Sequence, residues 1–132
     1  MTSGAGGNGA KTPKILIVED DEMVRDYARA VLEALGYQPV AAGDGGAALR
    51  LLEEQCDIRL MLTDIGLPGD LNGAALAAEA RRRRPGLAVL FASGSVDSSG
   101  KADRVPEGEV VLAKPYRKAE LAEKLKLLLG VR

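Results

Sequence analysis

Residues 14–22 read KILIVEDDE, four consecutive large aliphatic side chains running straight into four carboxylates. The run Lys14–Glu19 is too short for a helix and apolar on both faces, the pattern of an interior strand in a parallel sheet. Beyond it Val24, Ala28, Val31 and Leu35 recur at intervals of four, three and four residues. That spacing predicts an amphipathic helix from Asp21 to Gly36, with an acidic first turn at the positive end of the helix dipole and a glycine at its stop. A strand that ends in acids and turns at once into a helix is one β-α unit.

Four more units follow. Tyr37–Ala42 reads as a second strand, and Asp44–Gln55 as a helix with Ala48, Leu51 and Leu52 on one face and Asp44 at its N-cap. Ile58–Thr63 is a third strand that ends directly on Asp64; after the break at Leu67-Pro68-Gly69 a third helix runs from Asn72 to Arg84 and stops at Pro85-Gly86. Leu87–Ala92 is a fourth strand ending on Ser93, and Glu109–Ala113 a fifth ending on Lys114-Pro115. Arg117–Leu129 closes the chain as a helix with Leu121, Leu125 and Leu128 facing inward. Ser95–Pro106, with Gly100 and three serines, lacks helical periodicity, so the fourth helix is expected to be short, irregular or mobile. Strands alternating with helices predict an α/β fold, a parallel sheet covered on both faces. Five units occupy residues 14–130 as one domain, leaving no room for an attached effector domain, so output is expected through a binding surface. The Gly-rich residues 1–13 are expected to be a disordered tail.

The chain has 132 residues, enough for a self-sufficient core without disulfides or a structural metal. Aromatic residues make up 3% against 46% hydrophobic, so the core is built from Leu, Val, Ile and Ala. No histidine is present, which excludes imidazole general bases, Ser-His and Cys-His pairs and His-based metal sites. Cys56 alone forms no intramolecular disulfide or thiolate zinc site, and is read as a semi-buried structural thiol. A net charge of −1 gives no general attraction to nucleic acid or anionic membrane. No secretory signal or membrane-length apolar run occurs, so a soluble cytoplasmic protein is expected.

In open α/β sheets ligands bind at the carboxyl ends of the strands. Those positions here hold Glu19, Asp20 and Asp21 after the first strand, Asp64 after the third, Ser93 after the fourth and Lys114 after the fifth. Carboxylates gathered at one edge repel one another unless a hard divalent cation neutralises them, and oxygen ligands suit Mg2+. A lysine and a hydroxyl beside that cation suit the oxygens of a phosphoryl group, and an Asp carboxylate is itself a competent nucleophile. Asp21 is better accounted for as a helix cap. Arg81–Arg84 close a helix, where cations favour the dipole end, with no aromatic platform for nucleic acid beside them.

The motifs ILIVEDDE, LMLTDIGLPGDLNG, FASGS and LAKPY, in that order at successive strand ends, resemble the receiver domain of two-component response regulators. The resemblance runs from Lys14 to Leu129, about nine-tenths of the chain. It implies a doubly wound, flavodoxin-like five-stranded parallel sheet in the order 2-1-3-4-5 with five flanking helices. It implies that Asp64 accepts a phosphoryl group from a sensor histidine kinase or histidine phosphotransfer protein, and that a downstream protein reads the changed surface. Mg2+ would be held by Asp20, Asp64 and the backbone carbonyl of Gly66, with Glu19 acting through water. Ser93 and Lys114 would contact the phosphoryl oxygens, and Pro115 would follow Lys114 through a cis peptide bond. Apart from self-phosphorylation and autodephosphorylation, no enzyme activity is implied.

Three departures stand out. The loop from Asp64 to Gly73 is one residue longer than in the commonest receivers, a form seen in receivers of hybrid sensor kinases. Val111 stands where many receivers carry a switching Tyr or Phe. The fourth helix, often part of the output face, is the poorest segment. A receiver-like interaction module without phosphorylation is the alternative reading, and a small hydrolase with an Asp nucleophile is a weaker third. Lacking histidine, the chain supplies no phosphohistidine of its own and is expected to receive from a partner that does.

Overall fold

The computed structural model describes residues 12–99 and 101–130. In chain order the elements are β1 (Lys14–Val18), α1 (Glu22–Ala34), β2 (Gln38–Ala42), α2 (Gly45–Glu54), β3 (Ile58–Asp64), α3 (Gly73–Arg83), β4 (Ala88–Ser93), β5 (Val110–Ala113) and α4 (Lys118–Leu129). The strands form one sheet in the order β2-β1-β3-β4-β5, every neighbouring pair parallel. This is the expected doubly wound order.

Side-chain alternation along each strand divides the core into two layers. In β1, Leu16 and Val18 face a cluster with Ala48, Leu52, Leu76 and Ala80 of α2 and α3. Ile15 and Ile17 face the opposite layer, with Ala28, Val31 and Leu32 of α1 and Leu121 and Leu125 of α4. An interior strand apolar at every residue from Ile15 to Val18 is thus explained by helices on both sides.

The helix starts follow local chemistry. Asp21 Oδ1 accepts from the N–H groups of Met23 and Val24, Asp44 Oδ1 from Ala47, and Asn72 Oδ1 from Ala75. Each satisfies a donor that the first helical turn leaves orphaned. Glu120 Oε1 accepts from Arg117 N at the start of α4, and Gly130, left-handed at φ 67°, closes it. Residues 1–11 of the expected tail lie outside the described residues, whereas Thr12 and Pro13 accept hydrogen bonds from Gln38.

Two expectations are corrected. The fourth crossover contains no helix among the described residues, so four helices flank the sheet rather than five. Asp97 Oδ1 instead accepts from Ser99 N, Ser99 Oγ and Lys101 N, and Val96 pairs with Ala102 in a short antiparallel bridge. Side-chain turns of this kind satisfy backbone donors that a helix would otherwise pair. Cys56 is exposed rather than semi-buried, because it sits on the turn between α2 and β3, two residues before the chain enters the sheet.

Candidate functional site

β1, β3, β4 and β5 lie side by side, so their carboxyl ends deliver Glu19, Asp64, Ser93 and Lys114 to one edge. Lys114 Nζ lies 3.2 Å from Asp64 Oδ1 and 3.3 Å from Glu19 Oε1, one ammonium shared between two carboxylates. The Lys114–Pro115 peptide bond is cis, as the resemblance implied. Lys114 N also donates to Ser93 O at 2.8 Å, tying the ends of β4 and β5 together.

Glu19 is 6% exposed and accepts from Asp21 N through Oε2. Burial pushes its carboxyl above the usual range, and the neighbouring Asp64 charge adds to this, against the lowering pull of the Asp21 N–H and Lys114. Burial alone would lower Lys114, but the hydrogen bond to Asp64 and the charges of Asp64 and Glu19 raise it. The ammonium is therefore held charged where it is needed to compensate two acids.

Asp20 is exposed beside them, and one carboxylate oxygen from each of Glu19, Asp20 and Asp64 lies within 4.8 Å of the other two. Ligands about 2.0–2.1 Å from an octahedral Mg2+ stand roughly 3–4 Å apart, so a small contraction would bring this cluster into a cation's shell. Three oxygen donors and no nitrogen or sulfur suit that hard cation.

Ser93, 2% exposed, accepts from Ser95 N through its hydroxyl at 3.1 Å rather than from any group on Asp64 or Lys114. Gly66 is exposed next to Asp64: the point where a Cβ would project from it is 3.8 Å from Asp64 Oδ2. Asp21 caps α1 and takes no place in the acidic cluster.

Several participants had no signal in the sequence. Arg25 Nη1 donates to Glu19 O at 2.8 Å, one turn into α1. Tyr27 donates from its hydroxyl to Tyr116 O, and the two rings stand 5.6 Å apart. Arg104 reaches Gly66 from the fourth crossover. Long side chains from remote segments leave no local spacing to read.

Gly73 fixes the approach of α3 to the site. A Cβ there would lie 2.5 Å from Asp64 O and 2.7 Å from Ile65 Cα, and Gly73 N donates to Ile65 O. Only a residue without a side chain lets α3 begin against the backbone that carries Asp64.

Comparison with known proteins agrees with this fold. Residues 15–126 match the family model of the response regulator receiver domain. The chain is 36% identical over 121 residues to the aerobic respiration control protein ArcA of Escherichia coli, covering 91% of this chain and 50% of ArcA, so it spans about half the length of that relative. It is 31% identical over 117 residues to the response regulator receiver protein CpdR of Brucella abortus, covering 88% of this chain and 96% of CpdR. The crystal structure of a CheY-like receiver domain protein from Methanospirillum hungatei superposes with a TM-score of 0.75 at 30% identity, over 91% of this chain and 95% of that one. With an acidic pocket at the strand ends, a lysine on a cis-proline and a family match over most of its length, the chain belongs to the receiver domains of two-component response regulators.

Proposed function

We propose that Asp64 is the phosphoacceptor of a two-component phosphorelay. The observation that carries this reading is the bridge from Lys114 to both Asp64 and Glu19, which keeps a half-buried ammonium beside a carboxylate at the open edge of the sheet. A free Asp64 oxygen attacks phosphorus on the phosphohistidine of a sensor histidine kinase or phosphotransfer protein. The new P–O bond forms as the P–N bond breaks, and its electron pair leaves with the imidazole nitrogen. Lys114 neutralises charge on the phosphoryl oxygens, and the Ser93 hydroxyl, freed from Ser95 N, donates to one of them. Asp20, Asp64 and the Gly66 carbonyl would hold Mg2+, with Glu19 acting through water; the bound cation supplies further neutralisation of phosphoryl charge.

The outcome is a changed surface for a downstream protein, the reaction itself being signalling rather than metabolic turnover. Gly66 and Ser95 are small and exposed, which leaves water a path to the acyl phosphate. Autodephosphorylation should therefore be ready, and a lifetime of many hours in the isolated protein would contradict this. Incubation with acetyl phosphate and Mg2+ should add one phosphoryl group by intact mass, abolished in Asp64→Asn. Absence of an adduct together with no beryllofluoride binding would overturn the reading and favour a non-phosphorylated interaction module.

A further inference from the structure

Arg104 is the one non-glycine residue with positive φ among the described residues, at 67°. A left-handed backbone is strained for an ordinary side chain, and it persists only where surroundings hold it. Here Asp103 N donates to Ser95 O and Val105 N to Ala102 O, so the turn is bonded on both sides of Arg104. The held turn sends its guanidinium back to the strand ends. The point where a Cβ would project from Gly66 lies 3.8 Å from Arg104 Nη2 and 3.8 Å from Asp64 Oδ2. Twice that distance is the most that can separate Arg104 Nη2 from Asp64 Oδ2, and Gly66 brings no side chain to that space.

The two Asp64 oxygens are thus differently placed. Oδ1 is engaged by Lys114, while Oδ2 faces Gly66 and Arg104. Among the described residues Arg104 enters no ion pair, unlike Arg81, Arg82 and Arg83. Three carboxylates and one ammonium occupy the pocket; even with Mg2+ counted, turning Asp64 into a dianionic acyl phosphate leaves the site short of positive charge. A guanidinium presents a planar fork of donors suited to phosphate oxygens.

We propose that Arg104 is a second phosphoryl-binding cation, reaching across Gly66 to a phosphoryl group on Asp64 and so coupling phosphorylation to the order of the fourth crossover. The inference rests on Asp64 being the phosphoacceptor. It gives the chain a link from the pocket to residues 95–108 that needs no aromatic side chain at position 111, where Val111 stands. Gly66 is part of the device, because a side chain there would fill the space the guanidinium crosses.

Beryllofluoride with Mg2+, a phosphoryl mimic, tests this by calorimetric affinity and by hydrogen exchange of residues 95–108. Asn tolerates the left-handed backbone, so Arg104→Asn removes the charge without adding strain. Arg104→Asn should bind about fivefold more weakly than wild type, an exposed charge-assisted contact being worth that order. It should also lose the protection that beryllofluoride gives the crossover, and Arg104→Lys should recover part of both. Equal affinity and equal protection in wild type and Arg104→Asn would overturn the role of Arg104 while leaving the phosphoacceptor reading intact. Arg104→Lys as weak as Arg104→Asn would likewise overturn it, since charge would then not matter. Failure of wild type to bind beryllofluoride would sink the phosphoacceptor reading and this inference together.

Discussion

Glu19 and Asp64 compete for one ammonium, and that competition sets how the pocket responds to substitution. Asp64→Asn removes one of two repelling acids and leaves Lys114 to Glu19, so it should leave the melting temperature unchanged or raise it. Lys114→Ala strands the buried Glu19 carboxylate and should cost about 1–2 kcal/mol at neutral pH, the range for breaking a partly exposed pair. The sign with pH follows from the raised Glu19 value. A raised carboxyl favours the folded state fully below its ordinary value of 4.5 and loses that contribution as pH rises through the folded value. The Lys114→Ala penalty should therefore shrink as pH falls and Glu19 takes up its proton, which urea melts at several pH values would show. A penalty independent of pH would mean that lost packing, not charge, is responsible. Glu19, Asp64 and Lys114 were legible in the sequence because a strand end is a fixed place in this fold. Arg104 was not, since only the folded crossover brings it to Gly66.

At the level of elements, the Arg81–Arg84 run shows how a motif acquires meaning from its neighbours. Arg81 forms a fork with Glu109, Arg82 and Arg83 pair with Glu79, and Arg84 donates to the carbonyls of Leu52, Gln55, Cys56 and Ile58. Beyond favouring the end of α3, the run fastens it to the turn between α2 and β3. Arg84→Ala should destabilise by about 2 kcal/mol by denaturant unfolding, because charge-assisted bonds to partly buried carbonyls are lost together. Arg84→Lys should recover less than half of this, as one ammonium cannot reach the same set. Gly73→Ala should cost about 1–3 kcal/mol and disturb Asp64, since the new methyl meets backbone that cannot rotate away. The boundaries of the four helices were legible from caps and apolar spacing. The fourth crossover was legible only as a weak helix, because Asp97 and the serines satisfy the backbone locally in a way that period counting does not register.

For the molecule as a whole, two apolar layers on one sheet hold the pocket residues at a rigid edge. No helix among the described residues is long and apolar enough to cross a membrane. Tyr116 joins the α1 and α4 layer at 5% exposure, and burial, with smaller contributions from Tyr27 and Glu19, pushes its phenol up to about 12. The folded state thus keeps a neutral phenol that the unfolded chain ionises near 10. Its contribution is complete below pH 10 and is lost as pH rises towards 12, alongside that of Lys114, whose folded value is also raised. Absorbance titration of the phenolates, simplified by the absence of tryptophan, should show one tyrosine ionising only as the fold is lost. Phosphorylation of Asp64 makes a single new bond, and its position in the chain can be found directly. After reaction with acetyl phosphate and Mg2+, borohydride reduction converts an aspartyl phosphate to homoserine, which peptide mass spectrometry locates. Homoserine at position 64 alone is the predicted result; homoserine at 20 or 21, or at no position, would contradict it.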